Sequence, residues 1–141
     1  YIARYVFPDK TDLFEIDVSL VCDMAVINPF DFFVDEDAET FPFEYDPSLA
    51  VDLAPFRRVD PPGPLLQAWL TSISREKENT VNKLVALNQR LQSEITYAIR
   101  MEPGVQTPEE TLQLRRGSCR DSAWLMVHIC RNMGLAARFV S

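Results

Sequence analysis

The sequence predicts an α+β fold: a strand-rich start, a run of helices, and a return to strand at the end. Three observations carry this. Residues 13–20 alternate side-chain types with a period of two, the pattern of a half-buried antiparallel strand. From Pro64 to Met133 apolar residues recur at helical spacing, with proline and glycine marking starts and stops. After Gly134, the run through Ala137, Phe139 and Val140 has the composition of a strand.

Taken in order, Tyr1, Ile2, Tyr5, Val6 and Phe7 are aromatic or β-branched, which favours a strand. Pro8 to Thr11 is a turn cluster. Leu13, Glu15, Asp17 and Ser19 then alternate with Phe14, Ile16, Val18 and Leu20. The two runs read as an antiparallel hairpin. A lone hairpin is marginal in water, so this one reads as the remnant of a larger β-domain. Residues 28–47 interleave six aromatics (Phe30, Phe32, Phe33, Phe41, Phe43 and Tyr45) with acids and prolines. This stretch is either a binding surface or a connector pinned to the core by its aromatics. The connector is favoured, because large exposed apolar patches are uncommon on monomers. Pro55, Pro61, Pro62 and Gly63 mark a boundary between residues 1–60 and a second unit, residues 61–141.

The second unit is helical in pattern. Pro64 suits a first-turn position, with Leu65, Leu66, Trp69 and Leu70 following on one face. A long helix is expected over 79–100, with Val81, Leu84, Val85, Leu91, Ile95 and Ala98 inward and Asn82, Lys83, Gln89 and Gln92 outward. Thr107-Pro108-Glu109-Glu110 is a helix start, with Thr107 and Glu110 able to form a capping box. That helix is short, because Gly117 follows Arg115 and Arg116 and suits a left-handed C-terminus. A last helix starts at Ser118 or Cys119, runs to Met133 and is ended by Gly134.

Composition narrows the function. The net charge of −7 argues against nucleic acid or an anionic membrane as partner. The charge is uneven: residues 1–60 hold 14 acids and 4 bases, residues 61–141 hold 7 and 10. The three cysteines, Cys22, Cys119 and Cys130, form no CxxC and share the chain with one histidine. Neither a disulfide framework nor a metal site is expected, no cofactor is implied, and a reducing compartment, the cytoplasm, fits. No apolar run has the length of a membrane span. The chain opens and closes inside strand-like runs, so a piece of a longer polypeptide is expected.

The candidate catalytic residue is Cys119. The glycine turn at Gly117 delivers it to the first turn of an apolar helix. Unpaired N–H groups there carry partial positive charge, which favours thiolate and lowers a cysteine below its free pKa of about 8.5. The same groups suit an oxyanion hole, and Arg116 and Arg120 add positive charge nearby. The competing reading is a buried structural cysteine, which suits Cys130 and Cys22 better. His128 lies nine residues on, about half a turn round the helix, and cannot reach the thiol.

Gly117-Ser118-Cys119-Arg120-Asp121-Ser122-Ala123-Trp124, with Gly134-Leu135-Ala136-Ala137-Arg138-Phe139-Val140-Ser141, resembles the nucleophile segment of bacterial transglutaminase-like proteins. These are members of the papain-like cysteine enzyme superfamily. Arg100 to Thr111 is similar to the helix-capping segment of a branch described as cysteine proteases. Asn28 to Phe33 and Phe41 to Tyr45 resemble the end of that branch's N-terminal β-domain. The resemblance implies a partial papain-like core behind a remnant β-domain and a Cys-His-Asp triad with Cys119 as nucleophile. Asp121 is implied to be structural. The family's His and Asp lie on strands after the nucleophile helix, which this sequence does not reach, so an inactive fragment is expected. A protein or peptide is the implied substrate, and self-association through an uncovered sheet edge is expected. A non-catalytic interaction module built on the same fold is the alternative.

Overall fold

The computed structural model describes residues 6–21 and 32–140. The chain divides into two compact units, Tyr1–Phe32 and Phe33–Ser141.

In the first unit, residues 6–21 form no strand and are exposed throughout. The hairpin expected from their alternation is not formed among the described residues. Alternation can select the buried face of a strand, but a strand also needs a ladder partner for its N–H and C=O groups. Local contacts hold this segment instead. The Thr11 hydroxyl donates to the Leu13 carbonyl at 3.0 Å, and the Phe7 and Phe14 rings meet edge to face, 5.5 Å apart. Residues 1–5 and 22–31 lie outside the described residues, as do Cys22, Phe30 and the start of the aromatic stretch.

The second unit is mostly helical, with two small sheets. β1 (Thr40–Phe41) pairs antiparallel with β2 (Glu78–Asn79). β3 (Thr96–Tyr97) pairs parallel with β4 (Arg116–Gly117). The helices are α1 (Ala50–Arg57), α2 (Pro64–Thr71), α3 (Thr80–Glu94), α4 (Pro108–Leu114) and α5 (Cys119–Asn132). α5 packs against α2, α3 and α4 and supplies Leu125 and Ile129, both fully buried, to a core shared with Phe41, Leu66, Leu87 and Leu91. Burial of each such side chain stabilises the fold by about 2 kcal/mol.

Phe41 is buried, Phe43 packs on the core, and the Tyr45 hydroxyl accepts from the Ala136 N–H at 2.9 Å. These three aromatics act as pins, as the connector reading expected. Phe33 does not and is fully exposed.

Several boundaries differ from the sequence expectation. α3 stops at Glu94, not near Arg100. Ile95 leaves the helix, and Thr96 and Ala98 donate to the carbonyls of Arg115 and Gly117, so a strand ladder replaces the last turns. Lys83 faces inward: it is buried, and its Nζ donates to the Ser74 carbonyl at 2.7 Å and pairs with Glu78. Arg115, with φ of 49°, is the left-handed cap of α4, while Gly117 lies in β4. α1 forms across Pro55, where only a proline-rich boundary was expected. Ala137 to Val140 form no strand among the described residues. The Ala137 N–H donates to the Phe56 carbonyl, a single bond rather than a ladder.

The helix starts hold as expected. Thr107 and Glu110 form the capping box of α4. Gly63 has no side chain with which to cap α2, and Glu109 on α4 supplies the missing acceptor. Its carboxylate takes the N–H of Leu65 at 3.0 Å and of Leu66 at 2.7 Å. A Cβ on Gly63 would stand 2.4 Å from the Glu109 carboxyl carbon, so the close approach explains the glycine. Replacing Glu109 by alanine leaves these first-turn donors without their acceptor. Urea unfolding of Glu109→Ala should show a loss of about 1 kcal/mol with an unchanged m-value. An unchanged midpoint would mean that water caps α2 equally well.

Candidate functional site

α5 begins at Cys119, with Ser118 as N-cap. Cys119 is exposed, whereas Gly117, Ser118 and Asp121 around it are buried. The turn that presents the thiol is held from beneath by Asp121, which is fully inaccessible. Its Oδ2 accepts from the Ser118 N–H (2.8 Å), the Ser118 hydroxyl (2.8 Å) and Arg100 Nε (2.9 Å). Its Oδ1 accepts from the Gln106 N–H (2.8 Å) and Arg100 Nη2 (3.2 Å). Burial alone would raise the carboxyl's pKa. The hydrogen bonds from Arg100, Gln106 and Ser118 outweigh it and hold Asp121 well below the ordinary value of 3.8. The acid is therefore a fixed anion that positions the turn, the structural role the resemblance implied. A Cβ on Gly117 would fall 2.9 Å from the Asp121 Cβ, so Gly117 is needed for this approach and not for a left-handed φ.

The Cys119 and Arg120 N–H groups make no hydrogen bond among the described residues, as first-turn donors of a helix do when no acceptor is supplied. The Arg120 guanidinium donates to the carbonyls of Arg100 (3.1 Å) and Glu102 (3.2 Å), which ties the loop before α4 to the start of α5. Cys119 opens into a cleft of about 830 Å³ between α3, α5 and residues 136–140. Its walls include Tyr97, Met126, Val127, Cys130 and Arg138.

The other candidates separate cleanly. Cys130 is buried, and burial pushes its thiol up to about 11. His128 is buried on α5, meets the Trp124 ring edge-on at 4.8 Å, and does not line the cleft. Its Nε2 has no hydrogen-bond partner. Burial lowers its pKa, Asp60 works against this, and Arg131 adds to it. It is a packed neutral histidine, not a base for Cys119. Arg100 and Gln106 were not singled out from the sequence. The Ser118-x-x-Asp121 spacing, a capping-box pattern, was the signal that could have led to them. Among the described residues no three His, Cys, Asp or Glu gather as a metal site, and no helix is long and apolar enough to cross a membrane.

Two variants test this electrostatic arrangement. Asp121→Asn removes the buried charge that pairs with Arg100 at 2.9 Å and should cost about 3 kcal/mol in urea unfolding; a loss within error of zero would remove Asp121 from its central place. His128 is held neutral, with a folded pKa below 6.5. The unfolded chain therefore binds more protons just below that pH, and stability should fall as pH drops through about 6.5. Thermal midpoints at pH 7.5 and 5.5 should differ less in His128→Phe than in wild type. An equal difference in both would contradict the assignment.

A family model for the transglutaminase-like superfamily matches residues 67–141, which is more than half of the chain and includes α3, α4 and all of α5. No curated protein and no solved structure matches it. The matched region contains Cys119, the Asp121 anchor and the cleft, and the chain belongs to the transglutaminase-like superfamily.

Proposed function

We propose that Cys119 is the nucleophile of a papain-like thioester acyl transfer. Its thiolate attacks a carboxamide carbon and expels the amine. The thioester then passes its acyl group to water, giving peptide or isopeptide hydrolysis, or to a second amine, giving transamidation of glutamine. The observation that carries this reading is the contrast at the start of α5: an exposed thiol on a turn clamped by a buried, five-donor carboxylate. The unpartnered N–H groups of the first turn are placed to receive an oxyanion. Family membership supports the same assignment.

The one histidine is buried outside the cleft, so these 141 residues hold no histidine able to serve Cys119 as general base. Without a base a cysteine nucleophile loses most of its rate. The chain alone should therefore not turn over amide substrates, while its thiol should still react with electrophiles.

Iodoacetamide labelling at pH 7.5, read by peptide mass spectrometry, tests this. Cys119 should label at least about tenfold faster than Cys130, which is buried and whose thiol is pushed up to about 11. Equal rates at the two positions would sink the nucleophile assignment and leave the fold as a non-catalytic module.

A further inference from the structure

We propose that Arg120 is a positioning residue for the nucleophile: its guanidinium lashes a strap of residues 100–106 to the first turn of α5 and so fixes the two N–H groups that receive the oxyanion. This rests on the nucleophile assignment above and adds a residue that acts through the turn and not on the substrate.

The strap is closed on itself. Arg100 Nη2 donates to the Gly104 carbonyl at 3.1 Å, and Gly104 turns the chain with a φ of 81°. Two consecutive residues of α5 grip it. Asp121 accepts from the Arg100 guanidinium and the Gln106 N–H. Arg120 Nη2 donates to the carbonyls of Arg100 at 3.1 Å and Glu102 at 3.2 Å. Arg100 is thus held twice, its side chain by Asp121 and its carbonyl by Arg120.

The grip brackets the two peptide units that carry the Cys119 and Arg120 N–H groups. On one side Ser118 is fixed by its N–H and hydroxyl bonds to Asp121. On the other side Arg120 is fixed by its bonds to the strap. Helix ends fray when nothing holds them. Donors already aimed at the place where charge develops cost no reorganisation during the reaction.

A purely electrostatic role for Arg120 is the competing one, and the geometry speaks against it. Its Nη2 is spent on the two strap carbonyls, no salt bridge includes it among the described residues, and it does not line the cleft into which the thiol opens.

Two reagents separate the roles. Iodoacetamide alkylates a thiolate by displacement of iodide, and no oxyanion forms. 4-Nitrophenyl acetate acylates it: sulfur adds to the carbonyl carbon, the oxyanion collapses, 4-nitrophenolate leaves and a thioester remains on Cys119. Only the second reaction uses the N–H groups. The ratio of acylation to alkylation at Cys119, read by peptide mass spectrometry, should fall about tenfold in Arg120→Met. Arg120→Lys keeps a donor on a long stem and should recover part of the ratio. The pH midpoint of alkylation in Arg120→Met should match wild type, because a lost position and not a lost charge is at issue. Met101→Gly loosens the strap between the two accepting carbonyls, at a position that is 87% exposed. The ratio should fall there too, and this variant decides the matter if Arg120→Met does not fold.

A ratio equal to wild type in Arg120→Met, or in Met101→Gly where that variant decides, would overturn the proposal. So would an alkylation midpoint that moves up in Arg120→Met, since the guanidinium would then act by its charge. If iodoacetamide fails to label Cys119 in the wild-type chain, the nucleophile assignment falls and takes this role with it. If iodoacetamide labels it while the ratio holds, only the role of Arg120 falls.

Discussion

The Asp121 carboxylate is charged and dry, and the chain between Ile95 and Cys119 is arranged around keeping it so. A buried anion is costly unless its lone pairs are filled. Here Arg100, Gln106 and Ser118 fill them from three separate segments. Each donor needs a particular local structure. β3 leads the chain away from α3, and Arg100, three residues beyond it, reaches the carboxylate. The loop around Gly104, with its positive φ of 81°, must return Gln106 to the same point. Gly117 must lack a Cβ. One carboxylate thus ties together the stretch after β3, the path into α4 and the start of α5.

Glu109 does similar work in the first turn of α4. It gives up solvent to accept from the first turn of α2, and Gly63 makes room for it. The two acids belong to different helices, and each satisfies backbone donors that its partner segment leaves open. Such bonds add little to net stability, whereas an unmade one in the interior is costly. Their main effect is geometric. They fix where α2, α4 and α5 begin, and the apolar packing around Leu125 and Ile129 then supplies the driving force. The exposed thiol of Cys119 sits at the edge of this rigid arrangement, where a reactive group is held in place without being buried.

The parts of this fold legible in the sequence are those governed by local rules. Pro64, the Thr107–Glu110 box and Gly134 marked helix ends because capping and left-handed residues act within a few positions. The start of α5 and the exposure of Cys119 followed from the Gly-Ser-Cys turn. What was not legible depends on distant partners. The inward turn of Lys83 is set by Ser74 and Glu78, and the early end of α3 by β4. The strand expected at Leu13 to Leu20 had the right period but no ladder among the described residues. The left-handed residue at the end of α4 is Arg115 rather than Gly117, because the glycine is taken by the approach of Asp121. Alternation and spacing describe one segment at a time, and none of these outcomes is decided within one segment.

Native-state hydrogen exchange resolved by residue would test the central claim most directly. The N–H groups of Gln106 and Ser118 lie outside the helices yet donate to a buried carboxylate. If Asp121 organises this region, both should exchange as slowly as the core amides of Leu125 and Ile129, opening only with the whole unit. If they exchange at the rate of the exposed loop around Gly104, the carboxylate does not hold the turn, and the placement of Cys119 has some other cause.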